Sequence, residues 1–286
     1  MAMIAKSVSA PAPRSPASAY AALEFRATLA MLAALWLLAG VAWLFTVRQA
    51  HDMAGMALGL AQMATAMPFE VAAPLFLLMW VTMMAAMMLP TVAPFVLTHR
   101  AVAKGRGDGV ATTLAFASGY LLIWSAAGVV PLALLAGFRF ALAKGPAEGW
   151  LPYAVGAVFA VAGIYQFTPA KSICLRACET PFDFLMSHDF SGGVRSAVRA
   201  GLSHGAFCVG CCWALMLVLV AVGLMNLAWM VALAAVFWIE KHMRNGRTFS
   251  RVVGCVLVLL AVSILIYPGL IAVVAGGANH PAAPKM

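Results

Sequence analysis

The fold class is decided by residues 201–224, which read GLSHGAFCVGCCWALMLVLVAVGL and contain no Asp, Glu, Lys or Arg. A helix needs about 20 mostly apolar residues to cross the hydrocarbon core of a bilayer. Other stretches of the chain are similarly apolar, and their apolar runs are continuous rather than alternating, which favours helices over a membrane barrel. The predicted spans cover residues 27–47, 71–97, 111–137, 150–168, 201–224, 227–240 and 250–274.

The composition of the whole chain supports the same class. Of its 286 residues, 64% are hydrophobic and 9% are charged, whereas a soluble domain averages about 25% charged residues. This excludes a soluble enzyme, a disordered protein and a disulfide-stapled secreted module. We predict an all-α, polytopic transmembrane helical bundle over residues 25–275, with about seven spans in a range of five to eight. A disordered cytoplasmic tail (1–24) precedes it and a C-terminal tail (276–286) follows.

The net charge of the chain is +9, and the placement of its basic residues indicates how the helices are oriented in the membrane. Most of the 18 Lys and Arg residues fall in segments that share one side of the membrane with the N-terminus. The positive-inside rule therefore predicts a cytoplasmic N-terminus. The basic residues on this side would also contact anionic membrane lipids. Nucleic-acid binding is not needed to explain them, so no nucleic-acid partner is expected.

The strongest candidate site lies at the start of the fifth predicted span. His204, Cys208, Cys211 and Cys212 follow one another at spacings of three or four residues, apart from the adjacent last pair. Helical geometry places the imidazole and at least two sulfur atoms on one stripe. Thiolates and imidazole together suit Cu(I) or Zn(II). Cysteine as a small apolar packing residue is the alternative, but three cysteines in five positions favour a metal or redox function.

A second cysteine pair follows the fourth predicted span. Cys174 and Cys178 lie between Pro169 and Pro181, and a helix between these prolines would place both thiols on one face. The pair would then supply two ligands of a Cu(I) site or half of a larger thiolate site. Two reduced cytosolic thiols that pack a short interfacial helix explain the pattern equally well.

The second predicted span is rich in methionine. Met79, Met83 and Met87 follow one helical stripe, and Met84 and Met88 follow the next. Thioethers prefer Cu(I) over zinc, although methionine is also a common filler of apolar cores. The second and fifth spans run in opposite directions, and their sulfur residues overlap in depth to within about two helical turns. A mixed thiolate, thioether and imidazole site between them is therefore geometrically allowed.

A fourth candidate lies in the segment after the first span. Its members are His51, Met53, Met56, Met63 and Met67. An exposed segment of this kind on the oxidising side could collect copper. An amphipathic interfacial helix that turns its methionines toward lipid is the favoured interpretation.

Two charged residues end the sixth predicted span. A carboxylate at the membrane edge is a functional candidate by default, so Glu240 is one here. A pairing with Lys241 or Arg244 at the edge is the alternative, and the Lys241 stem can extend the short span by snorkelling.

Five pieces of the chain together resemble a bacterial family of predicted metal-binding integral membrane proteins, members of which are often labelled copper chaperones. The pieces are MMAAMMLPTVAP (83–94), YQFTPAKSICLRAC (165–178), HGAFCVGCCWALM (204–216), MNLAWM (225–230) and Glu240-Lys241. They cover about residues 75–245. The resemblance implies a multi-pass protein of the bacterial inner membrane that handles copper, with these Cys and Met residues as ligands. His204 as a ligand depends on helical geometry alone.

The leading hypothesis is a copper chaperone that delivers Cu(I) to an acceptor cuproprotein, with zinc as the second metal considered. The short loops contain no P-loop, so a pump is not expected, and a non-enzymatic carrier is favoured over an enzyme. Two alternatives stay open. One is a thiol–disulfide oxidoreductase that uses Cys208 and Cys211 as a C-x-x-C pair, and the other is a metal permease.

Overall fold

A computed structural model describes residues 16–52, 68–142, 149–187, 193–224, 226–243 and 245–274. Within these ranges the chain forms helices and no strand, which confirms the all-α class. The helices are α1 (Pro16–Asp52), α2 (Phe69–Gly105), α3 (Val110–Ala127), α4 (Val129–Leu142), α5 (Leu151–Tyr165), α6 (Pro169–Glu179), α7 (Pro181–Met186), α8 (Val194–Val222), α9 (Leu227–His242), α10 (Gly246–Ile266) and α11 (Leu270–Val274). The C-terminal tail lies outside the described residues.

Five helical segments among the described residues are long and apolar enough to cross a membrane. They are Phe25–His51, Phe69–Gly105, Val110–Ala141, Val194–Val222 and Gly246–Ile266. The pair α5 and α6, bent by 65° at their junction, makes a sixth if it counts as one span. The described residues thus contain five or six candidate spans. This number lies within the predicted range of five to eight, but it is smaller than the seven spans that the sequence predicted. α1 begins at Pro16, before the predicted start of the membrane domain at residue 25.

The predicted span over residues 227–240 is not among these candidates. The corresponding helix α9 has 16 residues, which at 1.5 Å per residue is about 24 Å and short of the hydrocarbon thickness of about 30 Å. The last predicted span is also shorter than expected, because α10 ends at Ile266. Pro268 disfavours the helical conformation at Tyr267, whose φ of −123° and ψ of 81° are not helical.

α8 is the central helix of the bundle. It packs most extensively against α3 and also contacts α5, α6 and α9. Glycines permit the close approach to α3: a Cβ atom at Gly201 would meet the carbonyl oxygen of Phe116, and one at Gly205 would lie 2.9 Å from the Cβ of Ile123. Small residues let two helix backbones pack at short distance, and here they bring α3 close to the cysteine-bearing part of α8.

We expect the Gly201→Ala substitution to reduce the free energy of unfolding by about 1–3 kcal/mol, the usual cost of overpacking a tight interior. The added methyl group can be accommodated only if α3 moves away from α8, because the obstructing atom belongs to the backbone. Denaturant unfolding of the detergent-solubilised protein measures the change.

Gly137→Ala on α4 is the matched control. A Cβ atom at Gly137 meets nothing within 4 Å, so alanine should stabilise the helix slightly, by up to about 1 kcal/mol. Equal effects of the two substitutions would contradict the close approach of α3 and α8.

Candidate metal centre

Three cysteine thiols meet in the interior of the bundle: Cys178 of α6, and Cys208 and Cys211 of α8. Their sulfur atoms all lie within 4.8 Å of one another, and the Sγ atoms of Cys178 and Cys211 are 3.9 Å apart. All three residues are buried. We call these three residues the cysteine cluster. Cys212 is also buried, with its Sγ 3.3 Å from the Sγ of Cys211.

The sharp turn between α5 and α6 positions Cys178. Thr168 caps α6, because its side chain accepts a hydrogen bond from the backbone N–H of Lys171 at 3.2 Å. Pro169 occupies the first helical position, where its missing N–H costs nothing. The helix between the two prolines is therefore confirmed, and it carries Cys174 and Cys178 one turn apart.

A buried ion pair lies beside the cysteine cluster. The Nζ atom of Lys171 is 2.7 Å from Oε2 of Glu240, and the two side chains are 1% and 0% exposed. The same ammonium donates to the carbonyl oxygen of Cys211 at 2.7 Å. Lys171 therefore links α6 to both α8 and α9. Glu240 is paired with Lys171 rather than with Lys241, and Arg244 lies outside the described residues.

Two further side chains contact Cys208 directly. The Lys241 ammonium lies 3.1 Å from its Sγ, and the Tyr120 hydroxyl lies 3.2 Å from the same atom. Both contacts favour a negatively charged sulfur, because an ammonium group and a hydroxyl can each donate to a thiolate. Sequence reasoning missed both contacts. Tyr120 precedes Cys208 by 88 residues, and Lys241 is buried rather than snorkelling toward the interface.

His204 is buried one helical turn before Cys208 on α8, but it is not one of the three members of the cysteine cluster. Its ring stacks on Phe95, with the ring centroids 3.8 Å apart. The ring of Tyr120 is roughly parallel to it, with the centroids 5.5 Å apart, and the ring of Phe184 packs against it edge to face, with the centroids 5.2 Å apart. The imidazole is thus packed among aromatic rings, and its role as a metal ligand stays a prediction.

Cys174 is more exposed than the members of the cysteine cluster. It is half-buried, whereas Cys178 one turn later is buried. Cys174 packs against α8 at Gly210, where a Cβ atom would lie only 2.8 Å from the Cys174 sulfur. A glycine at this position therefore leaves room for the thiol beside α8.

The predicted methionine ligands are all buried: Met83, Met84, Met87 and Met88. All four belong to the apolar core. Met88 also contacts a neighbour of the cysteine cluster, because its Sδ lies 4.0 Å from the Lys241 ammonium that contacts Cys208. The predicted methionine segment from Met53 to Met67 lies outside the described residues.

The chemistry of the cysteine cluster suits a soft metal ion. Thiolate ligands select Cu(I) and zinc among the common ions, and three of them around one ion carry more negative charge than Cu(I) neutralises. Lys171 and Lys241 supply positive charge beside the sulfur atoms. The surrounding apolar core makes these electrostatic contacts stronger than they would be in water.

These features define a helical protein with several candidate membrane spans and a buried cluster of three thiols that could hold a metal ion. A family model, PpoB2, described as a copper chaperone, matches residues 77–264. The chain belongs to this copper chaperone family, which confirms the resemblance seen over residues 75–245. No curated protein and no solved structure matches the chain.

We expect Glu240→Gln to reduce the free energy of unfolding by about 3–5 kcal/mol, because it leaves the buried Lys171 ammonium without its carboxylate. Replacing both partners, as Lys171→Met with Glu240→Leu, should recover much of this loss, since no buried charge then stands alone. Thermal unfolding of the three purified proteins tests the expectation.

Arg247→Gln is the control for this series. Arg247 lies 3.9 Å from Glu179, and its side chain is 50% exposed, so its loss should cost less than about 1 kcal/mol. A Glu240→Gln protein as stable as Arg247→Gln would contradict the structural role of the buried pair.

Proposed function

We propose that this protein is a membrane copper chaperone that binds Cu(I) through Cys178, Cys208 and Cys211 and passes the ion to an acceptor cuproprotein. The observation that carries the proposal is the meeting of three buried thiols within 4.8 Å in a member of a copper chaperone family. The proposed location is the bacterial inner membrane, with the N-terminus in the cytoplasm and lipids around the apolar helices.

Copper is favoured over zinc by the nature of the ligands. The three candidate ligand atoms are all cysteine sulfurs, and the sulfur of Cys212 lies 3.3 Å from that of Cys211. Zinc prefers four tetrahedral ligands that include nitrogen or oxygen as readily as sulfur, whereas soft sulfur ligands suit Cu(I). Zinc competition against Cu(I) distinguishes the two, and the proposal expects Cu(I) to displace zinc.

Copper loading of the purified protein tests the ligand set. The wild-type protein should retain Cu(I) in the presence of a competing chelator, and the triple variant Cys178→Ser, Cys208→Ser and Cys211→Ser should lose it, because serine oxygen is a poor ligand for a soft ion. Atomic absorption on the desalted proteins measures the copper content.

Cys255→Ser is the matched control, since Cys255 is exposed on α10. It should retain copper like the wild-type protein. Equal copper content in the wild-type and triple variant would overturn the proposed site.

Delivery requires a ligand nearer the surface, and Cys174 is suited to this role. It lies one helical turn from Cys178, which is about 6 Å along the axis of α6, and it is half-buried. An incoming thiol of an acceptor could replace Cys174 before the buried ligands release the ion. Copper would thus move by ligand exchange without becoming free.

We therefore expect Cys174→Ser to slow the transfer of Cu(I) to a thiol acceptor by about tenfold, equal to about 1.4 kcal/mol in the transfer barrier. The equilibrium affinity for Cu(I) should change little, because the cysteine cluster remains intact. Stopped-flow transfer to glutathione, with Cys255→Ser as the control, provides the measurement. A loss of affinity as large as the loss of rate would contradict a transfer role.

A thiol–disulfide oxidoreductase is the second candidate, because the sulfur atoms of Cys208 and Cys211 lie within 4.8 Å of each other in a C-x-x-C pair. Such an enzyme would form a Cys208–Cys211 disulfide that cycles with a quinone. Mass spectrometry of the protein with and without added quinone distinguishes the two functions, and transport into proteoliposomes tests the metal permease.

A further inference from the structure

Tyr120 of α3 brings a hydroxyl group to the cysteine cluster from a helix that carries none of its thiols. Its side chain is 1% exposed, and the hydroxyl oxygen lies 3.2 Å from the Sγ atom of Cys208. A buried tyrosine hydroxyl usually has a hydrogen-bond partner, and here the partner is one of the three sulfur atoms of the cluster. The contact therefore joins α3 to a candidate metal ligand on α8.

The backbone of Tyr120 is held against α8 at two points. A Cβ atom at Gly201 would lie 3.1 Å from its amide nitrogen, and one at Gly205 would lie 3.2 Å from its carbonyl oxygen. Gly201, Gly205 and Cys208 follow the i, i+4, i+7 pattern of one helical face. The glycines that admit α3 thus lie on the same face as the cysteine, and backbone packing fixes where Tyr120 stands relative to Cys208.

The ring of Tyr120 is restrained as well. It lies roughly parallel to the imidazole of His204, with an interplanar angle of 25° and the centroids 5.5 Å apart. With the backbone and the ring both restrained, the freedom left to the hydroxyl is rotation of its hydrogen about the C–O bond. That rotation is enough to direct the hydrogen at the Cys208 sulfur.

The chemistry of copper binding decides the direction of this hydrogen bond. Cysteine binds a metal ion as the thiolate, which has no proton to donate, whereas a tyrosine hydroxyl can donate one. In the copper-loaded protein the Tyr120 hydroxyl is therefore the donor and the Cys208 sulfur is the acceptor. Hydrogen bonds of this kind orient metal ligands, and their removal typically lowers metal affinity by about 10–100-fold.

We propose that Tyr120 is a positioning residue of the copper site, which orients the Cys208 thiolate through a hydrogen bond from a neutral group. This inference rests on the proposed copper-binding function. Lys241 contacts the same sulfur at 3.1 Å, but its ammonium is carried on a flexible four-carbon stem. The Tyr120 hydroxyl is carried on a rigid ring that packing against α8 holds in place, so it restrains the direction in which Cys208 presents its lone pairs.

Tyr120→Phe tests the proposal, because it removes the hydroxyl and keeps the ring that packs against His204. The Cu(I) affinity, set by a chelator buffer, should fall by about tenfold or more. The near-ultraviolet difference spectrum between copper-loaded and metal-free protein supplies a second readout. Its thiolate-to-copper charge-transfer absorption should move to longer wavelength, because a thiolate that has lost a hydrogen bond gives up electron density more readily.

Tyr165→Phe is the matched control. The Tyr165 hydroxyl also donates to α8, but its acceptor is the backbone carbonyl oxygen of Gly210, at 2.6 Å. Removing it deletes a tyrosine hydrogen bond to the same helix without touching a sulfur atom of the cluster. The variant should keep the Cu(I) affinity within about twofold and leave the charge-transfer absorption unchanged.

Wild-type affinity and absorption in Tyr120→Phe would overturn the positioning role. An equal loss of affinity in Tyr120→Phe and Tyr165→Phe, with no change of absorption in either, would overturn it too, because the hydroxyl would then act through the fold and not through the Cys208 sulfur. In both cases the proposed copper site survives. A wild-type protein that binds no Cu(I) is a different result, which overturns the proposed function itself and the positioning role with it.

Discussion

The ammonium of Lys171 lies in the interior of a helical bundle, where an unpaired charge would cost several kcal/mol. Its position is stable because Glu240 of α9 and the carbonyl oxygen of Cys211 both contact it at 2.7 Å. These contacts come from two other helices, so the charge can be satisfied only when α6, α8 and α9 are assembled together. The same assembly brings Cys178 to the α8 cysteines. The thiol site therefore depends on this ion pair.

Two buried ammonium groups contact the cysteine cluster at different members. Lys171 donates to the carbonyl oxygen of Cys211, and Lys241 lies 3.1 Å from the sulfur of Cys208. Cys174 is half-buried, whereas the three cysteines of the cluster are buried. The difference in exposure between Cys174 and the cluster is the basis for proposing that a bound ion would leave through Cys174.

Much of the fold could be predicted from the sequence because it depends on local properties. Apolar runs of sufficient length identified the helices that can cross a membrane, and the spacing of Cys208 and Cys211 placed their thiols on one helical face. The short helix α9 is not among the candidate spans because it has only 16 residues. It contacts α2, α6 and α8, yet apolar side chains such as Val231 and Trp238 remain exposed on it. Its length, rather than its hydropathy, separates it from the five longer helices.

The assembled site could be predicted only in part, because its contacts join distant residues. The close approach of Cys178 to Cys211 requires the 65° bend between α5 and α6, which no single helical pattern specifies. The contact between Tyr120 and Cys208 depends on the glycines that let α3 approach α8. For His204 the sequence spacing suggested more than the structure shows. Its spacing from Cys208 is that of a metal ligand, but its ring packs against aromatic rings from other helices. Periodicity indicates which face a residue occupies, and tertiary packing decides what that face meets.

Copper K-edge X-ray absorption on the loaded full-length protein tests the central claim most directly. It reports the oxidation state of the ion and the elements bound to it. The account predicts Cu(I) with two or three sulfur ligands and no nitrogen or oxygen, because the cysteine cluster offers only thiols. A first shell dominated by nitrogen or oxygen would contradict it, since the ion would then lie outside the cluster.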